Sequence, residues 1–121
     1  GSNITPERLR FDYTYAGKPT REQLDEIEKI INDAVVAAYP VTRRIEDKEE
    51  AIKSGAMAFF AEKYPDKVSV YIIGADPDKN WFSKELCGGP HVENTGSIGR
   101  VSIFKDESLG SGTRRIYAKL A

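Results

Sequence analysis

Residues 20–40 constrain the fold more tightly than any other stretch of this chain. Thr20-Arg21-Glu22-Gln23 is a capping box, in which the Thr20 hydroxyl accepts from the Gln23 amide and the Gln23 side chain reaches back. Leu24, Ile27, Ile31, Ala34, Val35 and Ala38 follow at helical spacing, with Asp25, Glu26, Glu28, Lys29 and Asp33 around the other side. Pro40 ends the run, because the residue before a proline is pushed out of the helical region. A helix with one apolar stripe has to pack on something flat.

The remaining sequence supplies strands for it to pack on. After an irregular start with turn chemistry at Thr5-Pro6, residues 8–13 alternate basic and apolar side chains, and Gly17-Lys18-Pro19 breaks the pattern. Residues 41–45 read as a short strand with exposed Arg43 and Arg44. Asp47 is placed to cap a second short helix carrying Ala51 and Ile52, with Gly55 as its stop. Met57, Phe59 and Phe60 add apolar bulk before a loop at Tyr64-Pro65-Asp66. Val68, Val70 and Ile72 alternate with Ser69, Tyr71 and Ile73, the pattern of a well-buried strand. A turn at 75–80 leads to a strand over about 81–86. Thr95-Gly96-Ser97-Ile98-Gly99 opens the next strand, with Val101 and Ile103 inward, and residues 108–112 read as a flexible connector. The last strand, 113–120, puts Ile116, Ala118 and Leu120 on one face and Arg115, Tyr117 and Lys119 on the other. The expectation is an α+β fold: a mostly antiparallel sheet with one long amphipathic helix and one or two short helices packed on it. The 121 residues suit a single domain, 1–121.

The chemistry concentrates at Glu85-Leu86-Cys87-Gly88-Gly89-Pro90-His91-Val92, which holds the only cysteine and the only histidine. Cys-x3-His is a workable bite for one zinc ion. It also contains the parts of a thiolate nucleophile and its base. A buried free cysteine beside a turn histidine satisfies the same spacing, which does not choose among the three. Gly88 and Gly89 permit positive φ and a close approach of backbone N–H groups to a carboxyl or phosphate oxygen, or simply make the turn. One cysteine excludes an internal disulfide, and no apolar run approaches the roughly 20 residues of a membrane span, so a soluble intracellular domain is expected. A net charge of −1 argues against a general polyanion binder. Yet residues 98–121 carry Arg100, Lys105, Arg114, Arg115 and Lys119 against Asp106 and Glu107 alone. Such a stripe suits a partner presenting a few phosphates, such as an RNA end, and equally an ordinary solvated strand face.

Three segments together resemble the editing domain of alanyl-tRNA synthetase, the second additional domain shared with threonyl-tRNA synthetase and with free-standing alanyl-tRNA editing proteins. They are Arg8-Leu9-Arg10-Phe11-Asp12, Leu86-Cys87-Gly88-Gly89-Pro90-His91-Val92 followed by Thr95-Gly96, and Arg114-Arg115-Ile116. Weaker matches at Ser54-Gly55-Ala56 and Glu62-Lys63-Tyr64 fall between them in the right order, so the resemblance spans about residues 3–119. The ending Gly112-Thr113-Arg114-Arg115-Ile116 favours the alanyl branch, whereas Pro90 looks like the threonyl version. The resemblance implies hydrolysis of the ester joining serine or glycine to alanine tRNA, in the cytoplasm, as the C-terminal portion of an editing domain beside other domains of the same synthetase. It implies a zinc held by a Cys-x3-His turn, matched by Cys87 and His91, and by an upstream His-x3-His pair. This sequence has no second histidine, so a further ligand is expected from Asp or Glu or from a second molecule, as in a homodimer. Arg8, Arg10, Arg114 and Arg115 are the expected contacts to the tRNA acceptor end, since guanidinium pairs well with phosphate. One of each neighbouring pair should face outward, the others pairing with Asp12 or Glu85. Tyr13, Tyr15 and Trp81 are candidates either for stacking on the terminal adenine or for the core.

Overall fold

The computed structural model describes residues 1–58 and 64–121; Phe59 and Phe60, expected as apolar bulk, and the Glu62-Lys63 part of one family match lie outside the described residues. The fold is α+β with antiparallel strand pairing, as expected, but the strands form two sheets in two compact units. One unit comprises Gly1–Val36 with Ile98–Ala121, the other Ala37–Ser97.

In the first unit, strands β1 (Ser2–Ile4), β2 (Leu9–Thr14), β6 (Val101–Gly110) and β7 (Thr113–Leu120) form a sheet in the order β1-β2-β7-β6. The irregular start of the sequence is therefore partly a strand. β2 runs antiparallel to β7, with Leu9 opposite Ala118 and Tyr13 opposite Arg114. Helix α1 (Arg21–Val36) begins at the capping box, where the Gln23 amide donates to Thr20 Oγ1 at 3.1 Å and the Thr20 amide donates to Gln23 Oε1 at 2.9 Å. It serves the edge strand β6 with polar side chains. Asn32 donates to the Val101 carbonyl and accepts from the Val101 amide, both at 2.8 Å, and Glu28 accepts from the Ile103 amide at 2.7 Å. Glu28 thus faces the sheet rather than solvent, a correction to the pattern reading, and the open backbone groups of an edge are satisfied. The expected connector at 108–112 is instead a tight hairpin: β6 runs to Gly110, and Ser111 and Gly112 turn with φ of 53° and 75°.

In the second unit, β3 (Val41–Asp47), β4 (Lys67–Asp76) and β5 (Asn80–Leu86) form a sheet with β4 central. Val68, Val70 and Ile72 of β4 and Leu86 of β5 bury one face under Ala51 of helix α2 (Lys48–Lys53) and Ala56. Asp47 stands at the helix start as expected, but its carboxylate makes no cap bond and pairs with Lys67, its cross-strand neighbour, at 2.7 Å. Gly74 lies at a register irregularity where a Cβ would sit 2.5 Å from the Trp81 Cα, so no other residue fits there.

Candidate functional site

The Cys87–His91 turn is positioned by the end of β5. The Cys87 amide donates to the Ser69 carbonyl at 3.1 Å, extending the β4–β5 ladder one residue beyond Leu86. On the other side Leu86 donates to the Met57 carbonyl at 2.9 Å, and the Tyr64 hydroxyl donates to the Leu86 carbonyl at 3.2 Å. The strand end is therefore held from both edges before the chain enters Gly88-Gly89-Pro90. Cys87 is half-buried, and its sulfur accepts from the Gly89 amide at 3.4 Å. Neither Gly88 nor Gly89 has positive φ, and a Cβ at Gly88 would meet nothing within 4 Å. The positive φ that these glycines permit is not used, and what remains open is room beside the Gly88 backbone.

The His91 ring stacks on Tyr71, with centroids 3.8 Å apart and planes inclined by 20°. Tyr71 stands opposite Glu85 in the β4–β5 ladder, so one sheet face carries Tyr71, Glu85 and the stacked imidazole. Desolvation holds the His91 pKa below its usual value against the opposing pull of Glu85, leaving a neutral imidazole with a free lone pair at neutral pH. Burial, with the nearby charges of Cys87 and Glu85, raises the Tyr64 phenol. Tyr71 was missed by sequence reasoning. The signal was its place on the polar side of the Val70/Ile72 alternation, across the ladder from a residue two before Cys87.

Two donors of the right chemistry for zinc are present, but no group of three His, Cys, Asp or Glu able to hold a metal occurs among the described residues. The Asp or Glu ligand expected from sequence is not formed there. Cys87 and His91 are two of the donor types that zinc takes.

The four candidate arginines divide between the two faces of the first unit's sheet. Arg115 pairs with Asp12 through Nε at 2.7 Å and Nη2 at 3.1 Å, which also holds the Asp12 carboxyl below its usual range. Arg8 reaches the Asn3 side chain at 2.8 Å, and Arg10 stands opposite Tyr117. The same face carries Lys105 and the Tyr117 ring, 5.2 Å from its ammonium, and Lys119 over Phe104 at 5.3 Å. Arg114 lies on the opposite face, 8% exposed, with its Nε on Asp106 at 2.8 Å. The Tyr13 hydroxyl donates to the same carboxylate. Arg114 is consumed inside the fold and is not offered to RNA, and Tyr13 is bound up with it rather than free to stack.

Comparison with known proteins bears on this arrangement. The family described as the threonyl and alanyl tRNA synthetase second additional domain matches residues 68–117, which include β4, β5, the Cys87–His91 turn and β6. The chain is 52% identical over 120 residues to an alanine–tRNA ligase of Treponema denticola, covering 99% of this chain and 19% of that protein. It is 45% identical over 120 residues to the alanine–tRNA ligase of Treponema pallidum, again covering 99% and 19%. With the alanine–tRNA ligase of Bacillus subtilis it shares 45% over 118 residues, covering 98% of this chain and 13% of the relative. The chain thus spans a fifth or less of the relatives it matches.

Proposed function

We propose that this chain, which is similar over residues 68–117 to the second additional domain of threonyl and alanyl tRNA synthetases, is the C-terminal portion of an alanyl-tRNA synthetase editing domain. In this reading it removes serine or glycine wrongly esterified to alanine tRNA, in the cytoplasm, together with other domains of the same synthetase. The observation that carries the proposal is the Cys87–His91 turn, locked to the β4–β5 ladder and stacked on Tyr71, within a chain 52% identical to part of an alanine–tRNA ligase.

Water adds to the ester carbonyl carbon, the bond to the terminal ribose oxygen breaks, and that oxygen leaves with a proton. Bound zinc would lower the pKa of water towards about 7 or polarise the carbonyl. Cys87 and His91 would hold it with donors from outside this sequence, a second copy included. The Tyr71 stack fixes the His91 ring plane, and the open backbone at Gly88 lets the reacting end approach. Arg8, Arg10 and Arg115 lie on the face that would take backbone phosphates, and Arg114 positions that strand.

The absence of a third donor among the described residues favours a second reading, an RNA-binding module with an incomplete, inactive metal site. Deacylation of seryl-tRNA(Ala) separates the two. With added zinc, the editing reading expects release of serine above the buffer rate, lost in Cys87→Ala and in His91→Ala. Binding of the tRNA without any deacylation would leave only the module.

A further inference from the structure

Among the described charged residues only Lys84 and Arg114 are buried, and only Arg114 has a carboxylate partner. Lys84 sits in β5 opposite Ile72, on the apolar face, and is 7% exposed. Its ammonium donates to Ser54 Oγ at 2.6 Å, and no ion pair neutralises it among the described residues. The end of α2 offers it little more. The Glu50 carbonyl accepts from the Ser54 amide, Ile52 from Gly55, and Ala51 from both Ala56 and the Ser54 hydroxyl. A buried ammonium with no direct ion pair among the described residues is costly, so this is where a ligand has most to add.

The ammonium looks into a cleft of about 550 Å³ lined by Arg44, Glu46, Ser54, Asp78, Trp81 and Lys84, and its charge reaches Asp78 on the far rim. Arg44 already holds Asp78 at 2.7 and 3.3 Å. Trp81, 37% exposed, supplies an indole wall. We propose that this cleft is a binding site for one small anionic group, a carboxylate or a phosphate, seated on the Lys84 ammonium with the rest of its molecule against Trp81. The carboxylates of Glu46 and Asp78 disfavour a run of phosphates and restrict the site to a single anionic group bearing hydrogen-bond donors. It is separate from the Cys87–His91 turn, since Lys84 and Glu85 point to opposite faces of β5. It does not depend on the proposed hydrolase activity.

Trp81 is the only tryptophan, so intrinsic fluorescence reads this cleft directly. The whole chain is titrated with inorganic phosphate and separately with acetate, at constant ionic strength set by chloride. At least one anion should give a saturable change that Lys84→Met abolishes. Asp78→Asn, on the exposed turn, removes a rim carboxylate and frees Arg44, so it should tighten binding several-fold. A response to phosphate alone identifies a nucleotide-type ligand, and one to acetate alone an amino-acid-type ligand; both together mean that the site reads charge only. Flat titrations with both anions, or a response surviving in Lys84→Met, overturn the proposal. Should Lys84→Met fail to fold, Asp78→Asn decides alone: unchanged or weaker binding overturns it.

Discussion

Arg114 and Arg115 are adjacent, chemically identical and structurally opposite. Alternation along a strand announces that one faces in, but which one depends on register, and Tyr13 opposite Arg114 settles it. Asp106, the partner that fixes Arg114, had looked like one of two acids diluting a basic stripe. Arg114→Ala would strand that carboxylate with only Tyr13, so it should lower Tm more than Arg115→Ala, whose partner Asp12 is less deeply placed. Thermal melts of the two variants compare them directly. Burial, then the hydrogen bond to Asp106, pushes the Tyr13 phenol up to about 12 from its ordinary value of 10.0. Because the folded value is raised, the associated stability is full below the unfolded value of 10.0 and is lost as pH climbs towards about 12. Alkaline titration followed by phenolate absorbance should show late-titrating tyrosines at Tyr13 and Tyr64, of which the Tyr13 step disappears in Tyr13→Phe. The Cys87–His91 turn stood out in the sequence as the place of the only cysteine and the only histidine. The support from Tyr71 was missed, because its place in the Val70/Ile72 alternation marks it as outward without showing that the His91 ring lies against it.

Elements were read most securely where local chemistry decides them. The capping box forms with both of its hydrogen bonds, and Thr20→Ala should cost about 1 kcal/mol. A shift of about 2–6 °C in Tm would register it. Hydrophobic spacing found α1 but misassigned Glu28, since a carboxylate satisfying a strand edge looks on a helical wheel like any solvated acid. Asn32 does more of that work, bonding both backbone groups of Val101. Asn32→Ala should therefore speed amide exchange at Val101 more than at residues of central β7, measurable by hydrogen exchange. The hairpin at Ser111-Gly112 was read as a loose connector because its glycines signal a turn without saying how tight it is.

At the scale of the molecule, the class was recoverable and the partition was not. Alternation says which side chains meet a sheet face; it does not say which sheet a strand joins. Two sheets of antiparallel strands therefore read as one. Within the second unit, Ile72 has no exposed surface, and Ile72→Ala should remove about 2–5 kcal/mol, seen as lost amide protection across β3, β4 and β5. The first unit is assembled from both sides of the second, with Leu9 of β2 pairing to Ala118 of β7. A ribosome releases residues 37–97 as an uninterrupted stretch, whereas β2 has only β1 beside it until β7 has been translated. The nascent chain thus has a built-in timetable, with the cysteine-bearing unit complete while the other is still waiting for its closing strand.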